Sequence, residues 1–209
     1  EIDSRQSALD ADPVASGDTF SPAGTEADTL LYNRSIVLGD AGRILFSRDQ
    51  LDRIESTALR AGDADDITVG DGDVTIIGGR GGDNIEIDSI QASVFRVIAG
   101  DNARLDYART NVFAEQTESL IKMISNDFRS STGGGDTIAV AADATIGVNL
   151  GVVIGMGGMG ADTLRIGGGE ADVTLLGDNG LIGRASGFAG ELSRVLSLDL
   201  AQGGDDVIR

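Results

Sequence analysis

The stretch Val74-Thr75-Ile76-Ile77-Gly78-Gly79-Arg80-Gly81-Gly82-Asp83-Asn84-Ile85-Glu86-Ile87 sets two short runs rich in β-branched residues on either side of a glycine- and aspartate-rich turn. Runs this short, dominated by valine and isoleucine, fall below helical length and read as strands. Ile67 to Val69 and Val94 to Ile98 continue the pattern on each side, and Val152 to Ile154, Leu164 to Ile166 and Val173 to Leu176 repeat it further along the chain. The chain is therefore an array of imperfect repeats, in which each unit buries its apolar face mainly against its neighbours.

Two markers keep this array in step. The first is a glycine-aspartate phrase: Leu38-Gly39-Asp40-Ala41-Gly42, Ala99-Gly100-Asp101-Asn102-Ala103 and Leu176-Gly177-Asp178-Asn179-Gly180. The second is an acidic marker: Asp65-Asp66-Ile67, Asp136-Thr137-Ile138 and Asp205-Asp206-Val207. Between them lie longer arms, Arg43 to Phe46 with Leu51 to Ser56, Arg104 to Tyr107 with Leu120 to Ile124, and Leu181 to Arg184 with Leu192 to Leu198. Each arm reads as a hairpin, and the phrase as the turn that joins it to the body, because Asp-Asn and Asn-Gly favour positive φ. In the second arm Leu120, Ile121, Ile124 and Phe128 also stand near helical spacing, so a helix over 115–128 competes with the strand.

The fold class these signals predict is all-β, a β-solenoid of β-roll or β-helix type with a β-hairpin arm inserted once per repeat. Residues 28–209 form that single body. Residues 1–27, with Pro13, Pro22 and little alternation, read as an irregular N-terminal strap.

Composition narrows the chemistry. A formal net charge of -18 opposes nucleic-acid binding, which needs clustered cations, and favours multivalent cations as partners. The chain has no cysteine and no histidine, which removes thiol chemistry, disulfides, histidine general-base catalysis and cysteine- or histidine-based zinc sites. Carboxylates, hydroxyls, arginines and Lys122 remain. No stretch approaches the roughly 20 apolar residues of a membrane-spanning helix. A start on Glu1 points to a processed product or an excised piece, and the lack of cysteine fits an extracellular protein.

The nonapeptide Gly78 to Glu86 satisfies GGxGxDxUx at every fixed position, and so does Gly157-Gly158-Met159-Gly160-Ala161-Asp162-Thr163-Leu164-Arg165. In these motifs the chain resembles the RTX family of calcium-binding β-roll repeats. The resemblance implies Ca2+ held between stacked turns, since calcium needs about six to eight oxygens and one turn cannot supply them. Asp65 lies 18 residues before Asp83, and Asp136 lies 26 before Asp162, so these two pairs are the expected ligands, with Asp63 and Asp205 of the partial copies beside them. The alternation of such turns with an LGDNG-type phrase and an arm, over 28–208, is similar to the long repeats of giant bacterial surface adhesins.

That likeness implies a secreted, non-enzymatic structural protein at the cell surface or in an extracellular filament. Its expected partners are copies of itself stacked head to tail, or adjoining repeats. One alternative is an adhesin module whose arms, above all 106–132, hold a glycan or protein; another is a calcium-dependent polysaccharide-active enzyme. The enzyme lacks support from aromatic sugar platforms, because there is no Trp and the only phenols are Tyr32 and Tyr107. Gly155-Met156-Gly157-Gly158-Met159-Gly160 matches GxGxxG, but Gly167-Gly168-Gly169 would fall within the helix that a dinucleotide site requires, and the overlapping nonapeptide accounts for the same glycines. No catalytic residue is assigned, and Met123, Met156 and Met159 read as packing residues.

Overall fold

The computed structural model describes residues 19–20, 34–48, 50–70, 72–89, 95–112, 115–126, 132–142, 151–167, 171–185, 191–198 and 203–209. Its strands begin with β1 (Thr19–Phe20), β2 (Arg34–Leu38), β3 (Gly42–Ser47), β4 (Gln50–Ser56), β5 (Asp66–Val69) and β6 (Asp73–Gly79). They continue with β7 (Asn84–Ser89), β8 (Phe95–Asp101), β9 (Ala103–Val112), β10 (Glu115–Ser125), β11 (Thr137–Ala142) and β12 (Gly151–Gly158). The last are β13 (Thr163–Ile166), β14 (Ala171–Asp178), β15 (Gly180–Arg184), β16 (Leu192–Ser197) and β17 (Val207–Ile208). Apart from β1, the expected strap over 1–27 lies outside the described residues.

These strands build three sheets. The central one is parallel, in the order β14-β12-β8-β6-β2, and a second parallel sheet, β1-β5-β7-β11-β13-β17, lies on one side of it. The third is antiparallel, β16-β15-β10-β9-β4-β3, and lies on the other. Burial explains the arrangement. Val74, Ile76 and Val153 of the central sheet pack with Ile67, Ile85, Ile138 and Leu164 of the second parallel sheet. Val97, Ile154 and Met156 of the central sheet pack with Ile54, Leu105, Met123 and Ile182 of the antiparallel sheet. A sheet covered on both faces needs near-continuous apolar strands, as in Val74-Thr75-Ile76-Ile77, whereas β5 and β7 alternate because one face meets solvent.

The expected β-solenoid with separate hairpin arms is thus corrected to a three-sheet all-β fold. The hairpins join one another: Arg53-Ile54-Glu55 pairs with 104–106, and Lys122-Met123-Ile124 pairs with 181–183. Alternation along these strands places Ile54, Leu105, Met123 and Ile182 on one face, all fully buried. Isolated hairpins would leave that face in water, so it closes on the central sheet. In place of the competing helix, residues 115–125 form a strand; β10 pairs with β9 from Glu115 to Ser125, and 127–128 lie outside the described residues. The described residues contain no helix long and apolar enough to cross a membrane.

A direct consequence is testable. Leu105→Ala is expected to cost about 3 kcal/mol of unfolding free energy, measured by urea denaturation, because it empties a fully buried site between two sheets. A loss below about 0.5 kcal/mol, normal for an exposed position, would contradict this packing.

Candidate metal centre

Five turns carry the chain from the central sheet to the second parallel sheet, and they lie in register. Gly79 pairs with Asp101 and Gly158 with Asp178 at the ends of the central strands, while Asn84 pairs with Asp66 and Thr137 at the starts of the flanking ones. Two of the turns, 78–83 and 157–162, are the complete nonapeptide motifs. The other three are the same turn split open by a hairpin: Gly39-Asp40 resumes at Gly62, Gly100-Asp101 at Gly133, and Gly177-Asp178 at Gly203. The glycine-aspartate phrase does join body to arm as expected, but through the first half of a split turn; no phrase residue is among the positive-φ positions of the described residues. In the complete turns Gly79, Gly81, Gly158 and Gly160 adopt φ between 118° and 128°, where a side chain is strained.

The stacked turns align a column of aspartates. Asp65 N–H donates to Asp83 Oδ1 at 2.9 Å, Asp83 N–H to Asp136 Oδ1 at 2.8 Å, Asp136 N–H to Asp162 Oδ1 at 2.8 Å, and Asp162 N–H to Asp206 Oδ1 at 2.9 Å. Asp83, Asp136 and Asp162 are each only 1% exposed, and their Oδ2 atoms are buried without a hydrogen-bond partner. Each of these oxygens shares its space with a carbonyl. A Cβ on Gly78 would strike Asp83 Oδ2 and the Gly100 oxygen; on Gly100 it would strike Asp136 Oδ2 and the Gly157 oxygen; on Gly157, Asp162 Oδ2 and the Gly177 oxygen. Two acceptors brought together out of water are costly unless a proton or a cation lies between them.

Electrostatics express the same conflict. Burial pushes the Asp83 carboxyl up to about 7 against the opposing hydrogen bond from Asp65, and the charges of Asp65 and Asp40 add to the rise. Burial likewise takes Asp162 up to about 7, helped by Asp206 and Asp178, and Asp40 up to about 6. Asp136 is raised by burial and then by the charge of Asp101; Asp101 is raised by burial and then by the charges of Asp162 and Asp83.

Four of the expected ligands, Asp65, Asp83, Asp136 and Asp162, therefore share one column. The other two lie off it: Asp63 and Asp205 are exposed. The column member at the last turn is Asp206, next to the expected Asp205. The signal for it was present, since Ile67, Ile138 and Ile208 each stand two residues after the column aspartate. Sequence reasoning also passed over Asp40, Asp101 and Asp178, which enter the turns from the phrase. The donors gathered here are carboxylate and carbonyl oxygens, a set that suits a hard cation such as calcium. Among the described residues no three Asp or Glu side chains converge as a metal cluster, so carbonyls and water would complete any coordination shell.

A second charged cluster lies on the outer face of the antiparallel sheet. Asp106 accepts from Arg53 Nε at 2.9 Å and Arg104 Nε at 2.8 Å, and Lys122 Nζ stands 2.6 Å from its Oδ2. Burial would raise its carboxyl, yet these hydrogen bonds hold it below the usual carboxylate range. Arg43 Nε donates to Glu55 at 2.5 Å beside it. No family model, curated protein or solved structure matches the chain.

Proposed function

We propose that this chain is a non-enzymatic structural module of a bacterial cell surface or extracellular filament, stabilised by Ca2+ at its stacked turns. The observation that carries this reading is the buried aspartate column, whose unpartnered oxygens face carbonyl oxygens. Folding concentrates carboxylates there, and a dication offsets the cost of their burial. A fold stabilised by calcium suits an extracellular setting, where calcium is plentiful. The resemblance of both nonapeptides to RTX repeats points the same way.

The partners in this reading are copies of the same chain or adjoining repeats. All three sheets run from N-terminal to C-terminal strands in the same direction, ending on β14, β16 and β17. These final edges expose Val173, Leu192, Val195, Val207 and Ile208. Apolar edge strands invite pairing with another chain. Metal analysis and calcium titration test the first half: each site filled at about a hundred times its Kd adds about 2.7 kcal/mol, which raises Tm by roughly 5–10 °C in a chain of this size. A Tm indifferent to calcium and to EGTA overturns it. Negative-stain images showing monomers alone at high protein and calcium concentration overturn the assembly half.

One observation favours the adhesin alternative. Among the described residues Arg43, Arg53, Arg104 and Lys122 form ion pairs with Glu55 and Asp106, a concentration of cations on a strongly acidic chain, with Asp52 also acting on Arg104. An anionic glycan suits such a face. Binding on a glycan array, lost in Arg53→Ala with Arg104→Ala, is the result this alternative requires.

A further inference from the structure

The aspartate of the glycine-aspartate phrase does more than end a strand. Asp101 is 4% exposed; its Oδ2 accepts the Met159 N–H, and its Oδ1 is buried with no hydrogen-bond partner. It belongs to a split turn yet reaches into the complete turn that follows. A Cβ on Gly158 would lie 2.5 Å from Asp101 Oδ2, so the missing side chain of one turn makes room for the aspartate of the turn before. Asp40 repeats the arrangement one split turn earlier: its Oδ2 accepts the Arg80 N–H at 2.5 Å and would lie 2.6 Å from a Cβ on Gly79.

Asp40 and Asp101 thereby reach into the complete turns that carry the next column aspartates, Asp83 and Asp162. Asp162 exerts the largest charge effect on Asp101, and Asp40 adds to the rise of Asp83 after Asp65, which also acts on Asp40. Asp101 Oδ1 and Asp162 Oδ2 are both buried without partners. The complete nonapeptide supplies one carboxylate, and the split turn before it supplies the second.

We propose that Asp101 with Asp162, and Asp40 with Asp83, are paired carboxylate ligands of a divalent cation, so that each site requires one split turn followed by one complete turn. This rests on the calcium reading above and assigns ligands that lie outside the nonapeptide. Asp178 opens the third split turn, and no further nonapeptide follows it in the sequence. The remaining donors are backbone carbonyls and water. Two carboxylates among oxygen donors favour calcium over softer metals.

The test compares calcium binding by isothermal titration calorimetry for the wild type, Asp101→Asn and Asp40→Asn. Asparagine keeps an acceptor for the Met159 or Arg80 N–H and removes the charge. Each variant is expected to lose one calcium per chain, or to bind it at least tenfold more weakly. In EGTA at pH 8 the Asp101→Asn variant should melt at or above the wild-type temperature, because the cost of burying or protonating that carboxyl is gone. A residue with only a structural role would instead lower the melting temperature with and without calcium. Wild-type stoichiometry and affinity in both folded variants overturn the pairing and leave the calcium reading standing. A wild-type protein that binds no calcium overturns both. If Asp101→Asn does not fold, Asp40→Asn decides alone, since Asp40 is only half-buried.

Discussion

In EGTA the protein should be most stable near pH 4–5 and lose stability steadily as the pH rises. Asp83 and Asp162 have native pKa values raised to about 7, and Asp40 to about 6, whereas the unfolded chain titrates near its ordinary value. A carboxyl with a raised native pKa holds its proton more tightly when folded. Its contribution is complete below the unfolded pKa and is lost as the pH climbs through the native one. The window therefore runs from about pH 4 to pH 7 for these three groups, and further upward for Asp101 and Asp136, whose rise is larger.

The magnitude is large. A rise of about three pKa units corresponds to about 4 kcal/mol. Two such groups approach the whole stability of an ordinary domain, about 5–15 kcal/mol. Self-repulsion from a net charge of -18 acts in the same direction. Thermal melts in EGTA are expected to shift down by roughly 15 °C or more between pH 5 and pH 8, with partial unfolding at the upper end. Calcium at pH 8 should restore the acidic Tm, because the cation then replaces the proton between facing oxygens. A metal-free Tm that is flat, or that rises with pH, would show that these carboxylates are not buried as described.

The second large effect is expected from the small residues that face the column. Gly100→Ala puts a methyl onto Asp136 Oδ2 and 2.7 Å from the Gly157 carbonyl oxygen. One obstacle is backbone of the next strand and the other a carboxylate held by the Asp83 N–H, so neither can withdraw. The expected cost is about 3 kcal/mol, at the upper end for an overpacked core. Tm should then fall by roughly 6–12 °C in a chain of this size. Gly78→Ala and Gly157→Ala should behave alike, since each meets the same pair of obstacles. Gly70→Ala is the control: nothing lies within 4 Å of its added methyl, and it should change stability by less than about 0.5 kcal/mol. Equal effects at Gly70 and Gly100 would sink this account of the turns.

Parts of this were plain in the residues. Short valine and isoleucine runs between glycine-rich turns place strands along the chain, and the two nonapeptides locate Asp83 and Asp162. A finer signal also existed. Val74-Thr75-Ile76-Ile77 and Val152-Val153-Ile154 are continuous, while Ile67-Thr68-Val69, Ile85-Glu86-Ile87 and Leu164-Arg165-Ile166 alternate. That contrast separates strands buried on two faces from strands buried on one, and two-sided burial requires a third sheet. Read as a set, these runs point to one sheet buried between two others. The hairpins misled because each satisfies local rules by itself; only the pairing of β4 with β9 and β10 with β15 makes them one surface.

The sequence by itself determined that the chain is a strand-and-turn repeat rich in glycine and aspartate, because turn chemistry and β-branched runs are local properties. It could not place Asp40 or Asp101, since an aspartate at the end of one strand gains its meaning from the glycine opposite it in the next turn, Gly79 or Gly158, 39 or 57 residues away. The choice of Asp206 over Asp205, to which the spacing before Ile208 already pointed, is fixed by the neighbouring turn, where the Asp162 N–H donates to Asp206 Oδ1. The tertiary structure decided those assignments: stacking brings residues distant in sequence to within hydrogen-bond reach, and the burial it imposes turns ordinary carboxylates into groups that need a proton or a cation.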